Sequence, residues 1–295
     1  MAASTTQQGR AYIYALTAVL LWSTIASACK ITLRHLDILT LLLYASITST
    51  IAFFFYLLLT NRLPSLRTLT KQDYLRSAAL GFLNPFAYYL VLFKAYDLLH
   101  AQEAMAINWI WPIMLVLLSI PLLRQDIKPV SVLAIIISLS GVFFIATGGN
   151  IRVFRLSNRV GVLLALGSTL IWALFWIYNV RDKRDEAVRL FLNFMFGSTL
   201  IVLTAILCGK MRAPTEKYIL GAIYIGLFEM GITFLVWLKA LRAAKTTAHV
   251  ANLVCLVPFL SLVVIHFVVG EEILASTTAG LALIVAGIVV QKIWG

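Results

Sequence analysis

Leu80-Gly-Phe-Leu-Asn-Pro-Phe-Ala-Tyr-Tyr-Leu-Val-Leu-Phe-Lys-Ala95 reads again, 145 positions later, as Ile225-Gly-Leu-Phe-Glu-Met-Gly-Ile-Thr-Phe-Leu-Val-Trp-Leu-Lys-Ala240, so that Gly81, Lys94 and Ala95 fall on Gly226, Lys239 and Ala240. A second match places Ala15-Leu-Thr-Ala-Val-Leu-Leu-Trp22 over Ala165-Leu-Gly-Ser-Thr-Leu-Ile-Trp172 at an offset of 150. A third sets Gln125-Asp126-Ile127 on Glu271-Glu272-Ile273, and Gly141 on Gly287, at an offset of 146. Any two apolar helices look alike in composition, but chance does not keep order, offset and polar positions together. Two related halves are expected, over 1–150 and 151–295.

The matched blocks lie in a chain of 295 residues that is 61% hydrophobic and 12% charged, against about a quarter charged in an ordinary soluble domain. Apolar runs recur, each long enough to cross roughly 30 Å of hydrocarbon as a helix. Strands in lipid would instead read as short alternating segments. The expected fold is an all-α membrane protein of ten transmembrane helices: Ala11–Cys29, Ile38–Thr60, Tyr74–Leu98, Ala101–Leu123, Pro129–Thr147, Val160–Asn179, Val188–Leu207, Lys217–Leu241, Thr247–Val269 and Leu274–Ile293. The gaps are too short for an independently folded catalytic domain. The first run follows Arg10 as a signal peptide would, but further spans come at once and it has a counterpart in the middle of the chain, so it is read as a mature helix.

The net charge of +12 sits in the gaps as basic membrane flanks. It forms no patch with interleaved aromatics, and no nucleic-acid partner is expected. With the N-terminus inside, fourteen Lys and Arg residues fall on the inner side and eight on the outer, leaving Lys94 and Lys239 too deep to assign. Both termini are therefore expected in the cytoplasm. Five spans per half is an odd number, so the second half enters the bilayer in the opposite sense. Two copies inverted in this way can exchange inward- and outward-facing shapes around one site, a recurrent construction of secondary transporters.

Five-plus-five spans, Trp22 and Trp172 in the first span of each half, Lys94-Ala95 and Lys239-Ala240 closing the third, Pro112 and Pro258 in the fourth, and the segments at Gln125 and Glu271 together resemble the drug/metabolite transporter superfamily of the EamA type. Within it, the aromatic richness is most similar to the bacterial aromatic amino acid exporters. That resemblance implies efflux of aromatic and other neutral amino acids across the bacterial inner membrane. The partners expected are a small-molecule substrate and the lipid bilayer, with a monomer as the expected state. The other substrate classes of the same fold are organic cations and metabolites or nucleotide sugars.

Candidate binding residues follow from polarity and depth. Glu229 lies near the centre of its span, where a carboxylate costs about 2.5 to 3.5 kcal/mol and must face protein or water. It is either a proton- or amine-binding group or a hydrogen-bonded structural one. Its repeat counterpart is Asn84. Asn84 and Tyr88 are spaced to share a helix face beside Pro85. Trp172 and Trp176 share another, with Ser168 a turn earlier, while Asn108, Trp109 and Trp111 crowd Pro112. Aromatic planes with a few amides suit an apolar side chain carrying an amino-acid head group, although such residues also fill helix interfaces and headgroup belts. Asn252, with His249 three residues before it, is a further candidate.

Lys94 and Lys239 are read as snorkelling to the interface. The segments at Gln125 and Glu271 are read as helix-end structure. Cys29, Cys208 and Cys255 lack paired spacing, His266 has no partner at metal-ligand spacing, and nucleotide-binding or hydrolase motifs are absent, so neither cofactor, metal nor enzymatic activity is expected.

Overall fold

The structure, a computed structural model, describes residues 2–123, 129–149, 158–210, 216–243 and 252–294, and among these every regular element is helical. The α-helices are α1 (Ala2–Ser23), α2 (Ile25–Leu33), α3 (Ile38–Leu59), α4 (Lys71–Gly81), α5 (Tyr88–Leu98), α6 (Ala101–Asn108), α7 (Trp111–Leu123), α8 (Pro129–Ala146), α9 (Arg159–Val180), α10 (Glu186–Leu207), α11 (Glu216–Ile225), α12 (Ile232–Ala243), α13 (Val257–Val269) and α14 (Ala275–Trp294). Polar residues at the ends of apolar runs set the starts. The Asp37 carboxylate accepts from the backbone N–H groups of Leu39 and Thr40, Thr70 and Asp73 form a reciprocal capping box on α4, Asn158 accepts from the Gly161 N–H, and Asp185 accepts from those of Ala187 and Val188.

Among the described residues, six helical stretches are long and apolar enough to cross a membrane: Gln8–Leu33, Ile38–Leu59, Lys71–Leu98, Arg159–Asn179, Glu186–Leu207 and Tyr218–Trp237. Val132–Ile145, Val257–Val269 and Ala275–Val290 are shorter apolar helices, where single full spans were expected. The expected fourth span is divided at Trp109-Ile110 into α6 and α7. Pro112 sits in the first turn of α7, where its missing N–H costs nothing. Large apolar side chains such as Leu59 (83% exposed), Leu207 (86%) and Phe267 (80%) stand outward, as they do against lipid.

The chain forms two compact units that do not coincide with its halves: Met1–Phe86 with Arg184–Val269, and Ala87–Lys183 with Gly270–Gly295. Each unit therefore draws on both copies of the repeat.

In the first unit α1 lies along α12, where Ala11, Ala15 and Ala240 are fully buried. α3 pairs with α10 through Phe53 on Phe194, Phe54 on Phe191, and a 2.9 Å hydrogen bond between the Thr50 and Ser198 hydroxyls. Rising numbers on α3 meet falling numbers on α10, so the two are antiparallel. α4 reaches α10 through Gly81 and Gly197, where a Cβ on Gly197 would meet the Gly81 carbonyl at 2.7 Å.

In the second unit α5, α6 and α7 pack on α9, and α8 packs on α14. Gly280 faces Gly141 and Ile145, while Gly287 faces Ser138 and Ala134, again an antiparallel order. The Ser138 hydroxyl donates to the Ile284 carbonyl at 3.3 Å. Small residues let these backbones approach, the usual basis of helix association where lipid offers no hydrophobic contrast.

Candidate functional site

The second unit assembles most of the candidate residues. α9 carries Ser168, Trp172 and Trp176 on one face. Opposite Trp172 is Tyr88 at the start of α5, with ring centroids 4.5 Å apart and planes inclined by 31°. The Tyr88 hydroxyl donates to Asn108 Oδ1 at 3.4 Å, Asn108 Nδ2 donates to Ser168 Oγ at 2.9 Å, and Ser168 donates to the Ala165 carbonyl at 2.6 Å. Three helices are thus stitched by a short polar chain beside stacked rings.

Trp172 also meets Phe175 and Trp176, at 5.8 and 5.9 Å. The Trp176 indole N–H is buried without an acceptor. Trp109 closes α6 and Trp111 opens α7, both half-buried at the break between them. The arrangement offers aromatic planes with an amide and two hydroxyls, able to hold an apolar group and orient a small polar head.

The first unit holds the other candidates. Glu229, half-buried, lies in a π-helical turn, Gly226–Gly231, between α11 and α12. A second π-helical segment, Phe82–Ala87, occupies the repeat-matched place between α4 and α5 and contains Asn84. π-turns widen a helix locally and recur at functional sites. Asn84 is fully buried, and neither its amide oxygen nor its nitrogen has a hydrogen-bond partner.

Asn84 has extended torsions, φ −148° and ψ 117°, in the middle of its span. The shared helical face expected for Asn84 and Tyr88 therefore does not form: the kink at Pro85 separates them, and they belong to different units. The side chain of Asn252 and the whole of His249 lie outside the described residues, as do Gln125 and Asp126.

Around Glu229, Tyr224 bonds Thr24 through the two hydroxyls at 2.7 Å and packs on Phe228 at 4.8 Å. Trp22, the repeat match of Trp172, rests on Phe234 and Trp237. Sequence reasoning passed over Thr24, Tyr224 and Trp237. The match of Trp22 to Trp172 was the signal that a second aromatic cluster would accompany the first. It also passed over Asn193, a lone amide in the apolar run of α10 that is fully buried with both polar atoms unpaired.

Glu271 has a structural role. Its carboxylate, only 11% exposed, accepts from the Ala101 N–H at 2.9 Å and from the Gln102 N–H at 3.4 Å, so it caps α6. Gln102 completes the latch by donating to the Glu272 carbonyl and accepting from the Leu274 N–H. An apolar groove of about 300 Å³ between α3 and α10 contains none of the candidates and is lined by the exposed Ile51 and Leu203.

The chain resembles proteins of several bacteria. An uncharacterized transporter of Clostridium kluyveri is 24% identical over 177 residues, 58% of this chain and 56% of that protein. The uncharacterized transporter YvbV of Bacillus subtilis is 28% identical over 190 residues, 62% of this chain and 60% of that protein. The uncharacterized inner membrane transporter YhbE of Escherichia coli K12 is 22% identical over 179 residues, 60% of this chain and 55% of that protein. The chain thus spans less than two thirds of the length of each of these relatives. A crystal structure of a protein superposes with a TM-score of 0.66 over 97% of both chains at 20% identity, a likeness of fold alone. Residues 9–147 and 159–291 each match the model of one family, and with apolar helices of spanning length the chain is a multi-pass membrane protein that belongs to the EamA-like transporter family.

Proposed function

We propose that this protein is a secondary transporter that exports neutral amino acids, aromatic ones among them, across a bacterial inner membrane by alternating access. The observation that carries the substrate class is the Tyr88–Asn108–Ser168–Trp172 cluster. It sets two parallel-leaning rings beside an amide and two hydroxyls, complementary to an aromatic or aliphatic side chain bearing a small polar head. Tyr88, Trp172, Trp176, Trp109 and Trp111 supply apolar surface, Asn108 orients the polar head, and Asn84, Glu229 and Asn252 are further polar contacts.

The mechanism proposed needs ten spans in two inverted halves, and the helix pairing is consistent with it. α8 and its repeat match α14 are antiparallel, as are α3 and α10, and the pairing of α1 with α12 has its exchanged counterpart in that of α9 with α5. Both termini then lie in the cytoplasm. The whole protein in liposomes loaded with labelled phenylalanine or threonine should release either faster than protein-free vesicles, and Trp172→Ala should abolish most of the difference. Release no faster than from empty vesicles would sink amino-acid export.

A second reading, export of organic cations, is favoured by the half-buried Glu229, which follows directly on the Tyr224–Phe228 ring pair in the chain. Dye efflux lost in Glu229→Gln, with amino acids ignored, would select it. A metabolite or nucleotide-sugar carrier wants cations facing the substrate. Lys94, however, pairs with Asp97 at 2.6 Å and Lys239 is exposed over Tyr56.

A further inference from the structure

Lys94 and Lys239 occupy matched positions in the repeat but meet different company. In the first half, Lys94 is neutralised by Asp97, three residues on. The position matched to Asp97 in the second half is Arg242, so the local carboxylate is replaced by another cation. Ion pairs among the described residues include Arg62–Asp185, Lys94–Asp97, Arg184–Asp73 and, when the histidine is protonated, His100–Glu271, and Lys239 enters none of these.

The Lys239 ammonium stands 5.7 Å from the centre of the Tyr56 ring, and the Arg62 guanidinium stands 6.0 Å from the centre of the same ring. Arg62 also binds Asp185 at 2.7 Å, with both side chains about a third exposed (30% and 36%). Two cations therefore gather on one aromatic ring, and the carboxylate beside them, Asp185, is taken by Arg62. Next to them along α3, Phe55, Leu58 and Leu59 are exposed and apolar.

We propose that Lys239, Tyr56 and Arg62 form a headgroup site for an anionic phospholipid. An ammonium with three donors and, in the ion pairs of the described residues, no carboxylate partner takes a phosphate oxygen, and the ring holds it in place by its negative face. The apolar residues alongside accept the acyl chains, which a free phosphate would leave uncovered. The excess of basic residues assigns this end of the helices to the cytoplasmic leaflet, where anionic headgroups attract such clusters. The site rests on the chain lying in a membrane and is independent of what the protein carries.

The test is a titration of the full chain in detergent with phosphatidylglycerol, read by native mass spectrometry, with phosphatidylcholine and inorganic phosphate as parallel arms. Wild type should retain phosphatidylglycerol about fivefold better than Lys239→Gln, the equivalent of the roughly 1 kcal/mol one basic residue at a membrane surface is worth. Lys94→Gln should bind as wild type does, and Lys239→Arg should restore retention. Tyr56→Leu, which leaves both charges, should also lose affinity, and it serves if Lys239→Gln fails to fold. Equal binding by Lys239→Gln or Tyr56→Leu, an equal loss in Lys94→Gln, or displacement of the lipid by equimolar inorganic phosphate would overturn the proposal.

Discussion

Tyr88 on α5 and Trp172 on α9 hold their rings 4.5 Å apart, and the same tyrosine hydroxyl reaches Asn108 on α6, so one side chain joins the aromatic and the polar parts of the candidate site. The two contacts are separable. Tyr88→Phe keeps the ring and loses a long hydrogen bond of 3.4 Å, and should change amino-acid flux less than about threefold, since interhelical hydrogen bonds in membranes average only about 0.6 kcal/mol. Tyr88→Ala removes the ring as well and should lower flux about tenfold, through loss of burial and of the 0.5–1.5 kcal/mol such ring pairs contribute. Initial rates of counterflow in liposomes measure both. A Phe variant as poor as the Ala variant would place the function in the hydroxyl instead.

Ser168 is the anchor of Asn108. Its hydroxyl accepts from the amide and donates its own hydrogen bond to the Ala165 carbonyl, so Ser168→Ala leaves a half-buried amide donor with one partner fewer. The variant should lose about 0.5 to 1.5 kcal/mol of stability, seen as a lower melting temperature in detergent, while Ser168→Thr keeps the bond. If Asn108 orients substrate, KM should rise in Ser168→Ala with little change in maximal flux. A loss confined to maximal flux would argue that the chain of bonds is only scaffolding.

Gly280 tests the seam between α8 and α14. A Cβ there would stand 2.6 Å from the Gly141 carbonyl, a backbone atom held on both sides by helix. Gly280→Ala should therefore cost about 1 to 3 kcal/mol, the usual range for overpacking. Gly167→Ala is the control, because a Cβ at Gly167 meets nothing within 4 Å and alanine raises helix propensity. Thermal melting of the two variants side by side should separate them. Equal melting points would mean that the seam can open at little cost.

Glu271 shows how a residue can be legible by type and not by partner. An acidic residue at the end of an apolar run reads as helix-end structure, and it does cap a helix, yet the helix it caps is α6, about 170 residues earlier in the chain. Sequence spacing carries no information about a contact of that range. That the segments Phe82–Ala87 and Gly226–Gly231 correspond was legible through the repeat, since Gly81 fell on Gly226 and Asn84 on Glu229, but that both are π-turns was not. Nor was the kink at Asn84. A helical periodicity drawn through Pro85 puts Tyr88 on the same face, and only backbone torsions reveal that the face is broken. The interleaving of the units was hidden for a similar reason, because the repeat tells which segments correspond and says nothing of which copy each one packs against. By the capping geometry, Glu271→Gln should cost about 0.5 to 2 kcal/mol of stability, with Glu271→Asp costing less if the shorter carboxylate still reaches the N–H groups.

The antiparallel order of α8 on α14 bears on topology. Residues 138, 141 and 145 meet partners that fall from Gly287 to Gly280, so two segments matched by the repeat run in opposite directions through the same unit. Copies related by simple tandem duplication with an even number of crossings would run the same way. The proposed inversion needs an odd number of crossings per half, and it predicts that the N-terminus and the connection between the halves lie on opposite sides of the membrane. Single cysteines at Gly9, where a Cβ meets nothing within 4 Å, and at the exposed Arg159 report the two positions, after Cys29, Cys208 and Cys255 are changed to serine. In intact cells a membrane-impermeant maleimide should modify Arg159→Cys and spare Gly9→Cys, with the pattern reversed in inside-out vesicles. Labelling of both from one side would remove the inversion and, with it, the alternating-access reading.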